Sequence, residues 1–284
     1  MVRNRRSAGR RSPGKFFSGS RAAALLLLAS IASPAIPSTV PAIRAPAVVR
    51  ATPALWEISD GDTKIYLFGT FHSLDGRTVW FDDRVRQAFD GSDELVLETI
   101  VPSSRDAIGA AGDRVSQVGP DGKTTLKPFI AQTQQAIGQG NALGMSVEHG
   151  ADSVLRRVAE DNGKPVGGLE RFEDQLSQLA KIPVSAPQTS APAAASVSLT
   201  DLLGAWTKGD TGAFSTMLAG FEASSPVAYR MLIADRNARW GEWIANRLDR
   251  PGTVFVAVGS GHLAGKDSVQ QWLAARGIAS ARIG

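Results

Sequence analysis

Two rhythms of apolar residues alternate along this chain. Leu55-Trp56-Glu57-Ile58-Ser59 switches between apolar and polar positions, Asp60-Gly61-Asp62 supplies a turn, and Ile65 to Phe68 is an unbroken β-favouring run, which together predict a hairpin leading into a buried strand. Val254 to Val258 is a second run of that kind. Glu94 to Glu98 and Lys164 to Glu170 read as further strands, each ending in a carboxylate. Between the strands the spacing becomes helical. Phe81, Val85 and Phe89 predict a helix over Trp80 to Phe89 with Gly91 as its stop, and Gly150 to Asp161 predicts another, capped by Asp152. Residues 102–144 are mostly helical in pattern, and so are Glu173 to Leu179, Asp201 to Trp206, Thr211 to Phe221, Val227 to Leu248 and Lys266 to Arg276. Ile278 to Ile283 gives a last short strand. Such alternation predicts an α/β fold, with α+β as the alternative, in which a central mixed β-sheet is flanked by helices in a single domain over residues 55–284.

Composition changes this picture at the N-terminus. Nine of the 31 basic residues precede position 51, where there is no acid, so the remainder holds 22 basic against 27 acidic residues, a net of −5. The basic total therefore belongs to the leader, and nucleic-acid binding loses its support. Seven of those nine basic residues, Arg3 to Arg21, stand ahead of the apolar stretch Ala22 to Ala32, the form of a secretory signal peptide over residues 1–33. The stretch is shorter than the ~20 residues of a membrane-spanning helix, so cleavage and export to the periplasm or beyond are expected, with no span left afterwards. A Pro/Ala-rich spacer follows at residues 34–54, and residues 182–198 read as a flexible Pro/Ala/Ser-rich loop. The chain has no cysteine, which excludes disulfides and a lipid anchor of the lipoprotein type.

Only three histidines are present, and two of them occupy matching places. His72 lies three residues beyond Gly69 at the end of the first buried run, and His262 lies three beyond Gly259 at the end of the second. Glycine at a strand end lets the backbone turn sharply and lets another group come close. A single Gly-x-x-His also describes a hydrogen-bonded loop histidine, but two equivalent exits suggest one shared site. His149 has no strand before it and reads as a loop residue ahead of a helix. Glu98 and Glu170 are the carboxylates best placed to join the imidazoles, and two histidines with one or two glutamates suit zinc, manganese or cobalt. Arg236 shares a helix face with Leu232 and Trp240, so it needs an anionic or carbonyl partner, or must bend out to solvent; Glu98, Glu170 and a substrate anion are the candidates. Asn237 is a further hydrogen-bonding candidate. The sequence contains no Gly-rich phosphate loop, no Ser-His-Asp order and no His-Glu-x-x-His helix.

Taken in order, Tyr66-Leu67-Phe68-Gly69-Thr70-Phe71-His72, Glu94 to Glu98, Gly168-Leu169-Glu170 with Gln175, Arg236-Asn237-x-x-Trp240, and Val256 to His262 with Leu263 and Gly265 resemble the TraB/GumN family. The resemblance runs from Leu55 to the C-terminus. It implies kinship with the TIKI proteins, metal-dependent proteases acting on Wnt ligands, and a fold shared with erythromycin esterases and haem-binding ChaN proteins. It places His72 and His262 at the site with Glu98 as the accompanying acid, and Glu170 and Arg236 match further family motif positions; with the reading of the residues this makes His72, His262 and Glu98 the candidate metal ligands and Glu98, Glu170, Arg236 and Asn237 the candidate catalytic residues. The long loop at 182–198 departs from the family pattern. The function expected is an exported metal-dependent hydrolase, a peptidase acting on a peptide or protein. A non-catalytic binder of haem, metal or peptide, and a structural protein without a metal site, are the alternatives.

Overall fold

The structure, a computed structural model, describes residues 48–102, 104–115, 126–182 and 197–283. The expected signal peptide, the spacer up to residue 47 and residues 183–196 of the expected loop lie outside the described residues. The strands are β1 (Val49–Arg50), β2 (Leu55–Ser59), β3 (Thr63–Thr70), β4 (Thr78–Val79), β5 (Glu94–Thr99), β6 (Val166–Glu170), β7 (Gly252–Gly259) and β8 (Ala281–Arg282). The helices are α1 (Asp83–Asp90), α2 (Arg105–Val115), α3 (Lys127–Ala142), α4 (Ala151–Asp161), α5 (Phe172–Ala180), α6 (Leu199–Thr207), α7 (Gly212–Ser224), α8 (Pro226–Tyr229), α9 (Asp235–Leu248) and α10 (Val269–Ala274). Among the described residues no helix is long and apolar enough to cross a membrane.

Six strands form one mixed sheet in the order β6-β5-β7-β3-β2-β8, while β1 and β4 pair separately. Neighbours among β6, β5, β7 and β3 run parallel; β2 is antiparallel to β3, as the Asp-Gly turn predicts, and β8 is antiparallel to β2. The Asp60 carboxylate accepts the Thr63 N–H at 2.9 Å and tightens that turn. The inner parallel strands β5, β7 and β3 have buried apolar side chains on both faces, which is why they read as apolar runs, whereas the edge strand β6 is only partly buried. On one face Phe68, Leu95, Leu97, Phe255 and Ala257 pack with Trp80, Phe89 and Trp206. On the other, Ile65, Leu67, Val96, Val254, Val256 and Val258 pack with Trp240 and Ile244 of α9 and Leu273 of α10. Strand alternation puts Glu98 on the same face as Val96, toward α9.

The last third departs from expectation in its details. The helix expected over Val227 to Leu248 is interrupted by a π-helical turn, Arg230–Ala234, between α8 and α9. The closing helix contracts to Val269–Ala274 and the last strand to Ala281–Arg282. Trp206 secures the exit of β3. It is fully buried, donates Nε1–H to the Gly69 carbonyl at 2.9 Å, and lies against Phe71 and Trp80 at ring separations of 5.9 and 6.3 Å. Replacing Trp206 by Phe therefore leaves a buried carbonyl without its donor, and urea unfolding should show a loss of about 1–3 kcal/mol.

Candidate functional site

Parallel pairing of β3 with β7 sets Thr70 opposite Gly259, so both Gly-x-x-His exits leave the same edge of the sheet. Glu98 and Glu170 reach that edge at the ends of β5 and β6. From β5 the chain next joins the sheet at β6, whereas from β7 it next joins at β8 on the opposite side. A crevice outside the carboxyl ends of parallel strands, where successive connections diverge, is the usual place for a ligand.

Arg236 is the hub of this edge. It rises from the first turn of α9 with its side chain 6% exposed, and its Nη2 meets Glu98 Oε1 at 2.5 Å and also contacts Glu170 Oε1. Its Nε donates to Glu170 Oε2 at 3.2 Å, and Nη1 donates to the Leu232 carbonyl, within the π-helical turn, at 3.3 Å. The guanidinium also lies 4.7 Å from the Trp240 ring centre. Gln175 of α5 donates to Glu98 Oε1 as well, at 3.2 Å. Oε1 is thus held from behind, while Oε2 faces the histidine loops. Oε2 accepts the Gly259 N–H at 3.3 Å and is 3.9 Å from His262 Nε2.

The two imidazoles reach the Gly259 end of β7 by different routes. His262 is buried on a short helical turn, Ser260–Leu263, with its ring centre 4.5 Å from that of Trp240. Asn237 donates Nδ2 to the carbonyls of Asp267 at 2.7 Å and His262 at 3.3 Å, which turns its Oδ1 to His262 Nδ1 at 2.6 Å. His72 is more open, its side chain 63% exposed, and its Nδ1 is 2.8 Å from Asp152 Oδ2. The other Asp152 oxygen accepts the Thr70 hydroxyl at 2.7 Å. His72 Nε2 lies over Gly259: a Cβ on that glycine would come within 2.9 Å of it and 3.6 Å of Glu98 Oε2.

The family model described as TraB/PrgY/gumN matches residues 54–127 and 103–282. The chain belongs to the TraB/PrgY/gumN family. It is also 25% identical, over 262 residues, to the uncharacterized protein YbaP of Escherichia coli K12; the match covers 80% of this chain and 96% of YbaP. No solved structure matches.

All the site residues expected of this TraB/PrgY/gumN chain meet at one edge: His72, His262, Glu98, Glu170, Arg236 and Asn237. His149 does not join them; its ring packs over Gly76 and its Nδ1 meets Ser146 Oγ at 2.9 Å. Asp152 is where the sequence reading fails. It does not cap α4, whose N-cap is Gly150 with no side-chain bond. A Cβ on Gly150 would lie 2.1 Å from the His72 carbonyl, so only glycine lets α4 begin against that loop and bring Asp152 to the imidazole. An acid in a first helical turn looks like a cap, and nothing local ties it to a histidine 80 residues earlier.

Environment separates the two histidines. The negative charge of Asp152, working against burial, pushes His72 up to about 9, although the open side chain lets solvent weaken that pair. Burial pulls His262 down to about 3 against the pull of Glu98, so it is neutral at pH 7 and carries its proton on Nδ1, toward Asn237. Burial alone would raise Glu98, but Arg236, His262 and His72 outweigh it and hold the carboxyl at about 2. For Glu170 burial prevails over the contact with Arg236, and its pKa is raised.

Each imidazole has Nδ1 engaged, the arrangement a metal-ligating histidine takes when a carboxylate or carbonyl orients it from behind, and His262 Nε2 also lies 3.4 Å from Arg236 Nη1. By donor chemistry His72 Nε2, His262 Nε2 and Glu98 Oε2 fit a zinc, manganese or cobalt ion. Among the described residues no three such side chains already stand together as a cage.

Opposite shifts give opposite stability limbs in metal-free protein. A depressed His262 favours folding fully above 6.5 and loses that contribution as pH falls toward 3, joined below 4.5 by Glu98; a raised His72 contributes fully below 6.5 and loses it toward 9. Urea unfolding in EDTA should therefore find greatest stability near pH 6.5. The slope on the acid side attributable to His262 should approach 1.4 kcal/mol per pH unit, roughly one proton. His262→Asn should flatten the acid limb and Asp152→Asn the alkaline one. Gly259→Ala should displace the His72 ring, at a cost of about 1 kcal/mol in stability. Imidazole NMR titration should then find His72 lowered from about 9 toward 6.5.

Proposed function

We propose that this protein is an exported metal-dependent hydrolase, most simply a peptidase, working at the edge where His72, His262 and Glu98 meet. The observation that supports it best is that His262 Nε2, 3.9 Å from Glu98 Oε2, and His72 Nε2, over Gly259, come to the same end of the sheet with each Nδ1 tied from behind. Export is read from the basic and apolar leader over residues 1–33, which suits a periplasmic or secreted protein.

In this reading His72 Nε2, His262 Nε2 and Glu98 Oε2 would hold a zinc, manganese or cobalt ion. When bound, such an ion supplies Lewis acidity to a substrate carbonyl and makes water acidic near neutrality. The chain's own residues do the rest. Asp152 and Thr70 fix His72, and Asn237 fixes His262, so neither ring can turn its Nε2 away. Arg236 holds Glu98 Oε1, so that among the described residues Oε2 keeps only the Gly259 N–H as a donor, and against burial its charge keeps the Glu98 carboxyl ionised. Glu170, whose pKa is raised, accepts the proton of the attacking water and returns it to the leaving amine as the C–N bond breaks.

Titration of EDTA-treated protein with manganese, zinc and cobalt tests the reading. The wild type should bind one ion with a rise in melting temperature, and should cleave an unfolded protein substrate in its presence. His72→Ala, His262→Ala and Glu98→Gln should each lose ion binding by at least about tenfold, and lose cleavage, while circular dichroism stays native. Wild type that takes up no divalent ion, or cleavage that survives His72→Ala, overturns it.

A further inference from the structure

β6 ends the sheet, and among the described residues no strand pairs with its outer side. One bond fixes which of its groups face inward: Leu95 N–H donates to the Pro165 carbonyl at 2.9 Å. Along a strand the N–H and C=O of one residue point to one neighbour and those of the next residue to the other. Pro165, Gly167 and Leu169 therefore address β5, and Val166, Gly168 and Glu170 turn their backbone groups outward. Natural sheets blunt such edges with lysine, proline or a bulge. Val166-Gly167-Gly168-Leu169-Glu170 uses none of these, and its two glycines have no side chains to keep a second backbone away.

The same edge borders an open groove of about 510 Å³, lined by Ile100, Pro102, Leu169, Glu170, Phe172 and Asp174 among others. Glu170 belongs both to this groove and to the ion triad with Arg236. Gln175, next in sequence to the groove residue Asp174, donates to Glu98. Groove and strand edge thus end at the carboxylates of the candidate centre.

We propose that β6 is the substrate-docking strand: an extended polypeptide adds to its free edge as a further strand, pairing main chain to main chain at Val166, Gly168 and Glu170. Alternate side chains of that segment fall into the groove, and the chain beyond Glu170 then turns inward across the ends of β6 and β5 to reach Glu98 and the two imidazoles, since the added strand itself lies two strand spacings from β5. Outward N–H and C=O pairs repeating every second residue match another extended backbone, and not a small ester or a folded surface. The inference rests on the hydrolase reading and gives it a substrate class, unfolded or locally extended protein.

The test uses metal-stripped wild-type protein, so that the probe is not consumed, and reduced, carboxymethylated lactalbumin as an unfolded probe. Hydrogen exchange at the amides of Val166, Gly168 and Glu170 should slow by about tenfold on adding this probe, and should not slow with native lactalbumin. Val166→Pro removes one outward N–H, a change that edge strands tolerate. It should raise the Kd of the probe about fivefold, the equivalent of one hydrogen bond, while Val166→Thr binds as the wild type does. Failure to bind the probe, or binding without protection at these amides, overturns the proposal, and so does unchanged affinity in a folded Val166→Pro protein. Ion titration of the same samples separates the two readings. Ion binding without protection of β6 removes the docking strand and leaves the metal centre, whereas protection without ion binding supports the strand and removes the metal.

Discussion

A guanidinium buried between two carboxylates from different strands governs this molecule. Arg236 joins α9 to the ends of β5 and β6 through Glu98 and Glu170, with side-chain exposures of 6%, 13% and 7%. Charges at that depth persist only when paired, and removing one partner of a buried pair typically costs about 3–5 kcal/mol. The sheet edge and the helix are therefore fixed together by a contact that neither element makes alone. The π-helical turn ahead of α9 contributes as well, since the Leu232 carbonyl within it accepts Arg236 Nη1. Such turns recur at functional sites because they free backbone groups that a regular helix would use internally.

One consequence is that a repeated sequence motif yields two unlike histidines. The backbone exits after β3 and β7 are equivalent in register, but α9 covers only one of them. His262 lies under Trp240, loses its hydration and stays neutral, with Asn237 fixing the tautomer. His72 stands at the open side, against a carboxylate from α4 that raises its pKa. Near Glu98 there is then one imidazole whose pKa is raised and one whose pKa is lowered. The asymmetry comes from packing around the motif, not from the motif.

Much of this was legible in the chain. Ile65 to Phe68 and Val254 to Val258 announced themselves as buried strands because parallel strands covered on both faces are apolar throughout. Glu98 and Glu170 stood out as carboxylates at the ends of strands, although a solvated strand-end acid reads the same way in the sequence. Arg236 could be inferred to need a partner from its helix face, and it took both carboxylates. The order of the strands was not legible: β7 lies between β5 and β3 although it is formed some 150 residues after β5, and only long-range packing decides that. Asp152 was hidden for the same reason, and the π turn between α8 and α9 has no counterpart in the spacing of the apolar residues there.

Two carboxylates that share one guanidinium need not behave alike, and here their surroundings pull them apart. Glu98 faces two imidazoles in addition to Arg236, and the sum of these outweighs its burial. Glu170 has Arg236 and a more distant Arg239 at 4.0 Å, feels the charge of Glu98, and is left with a raised pKa. Pairs of acids separated in this way are how a fold obtains a fixed negative charge and a transferable proton in one place. Because Arg236 touches both, protonation of one acid changes what the guanidinium offers the other, and the pair titrates as a unit. Glu170 also lines the open groove beside β6, so a chain seated there would remove water from the carboxyl that already carries the raised pKa. Occupancy of the edge and the proton affinity of Glu170 are in that case coupled: desolvation by the incoming strand raises the affinity further, and strengthens the hold of Arg236 on Glu98 as Glu170 releases its share.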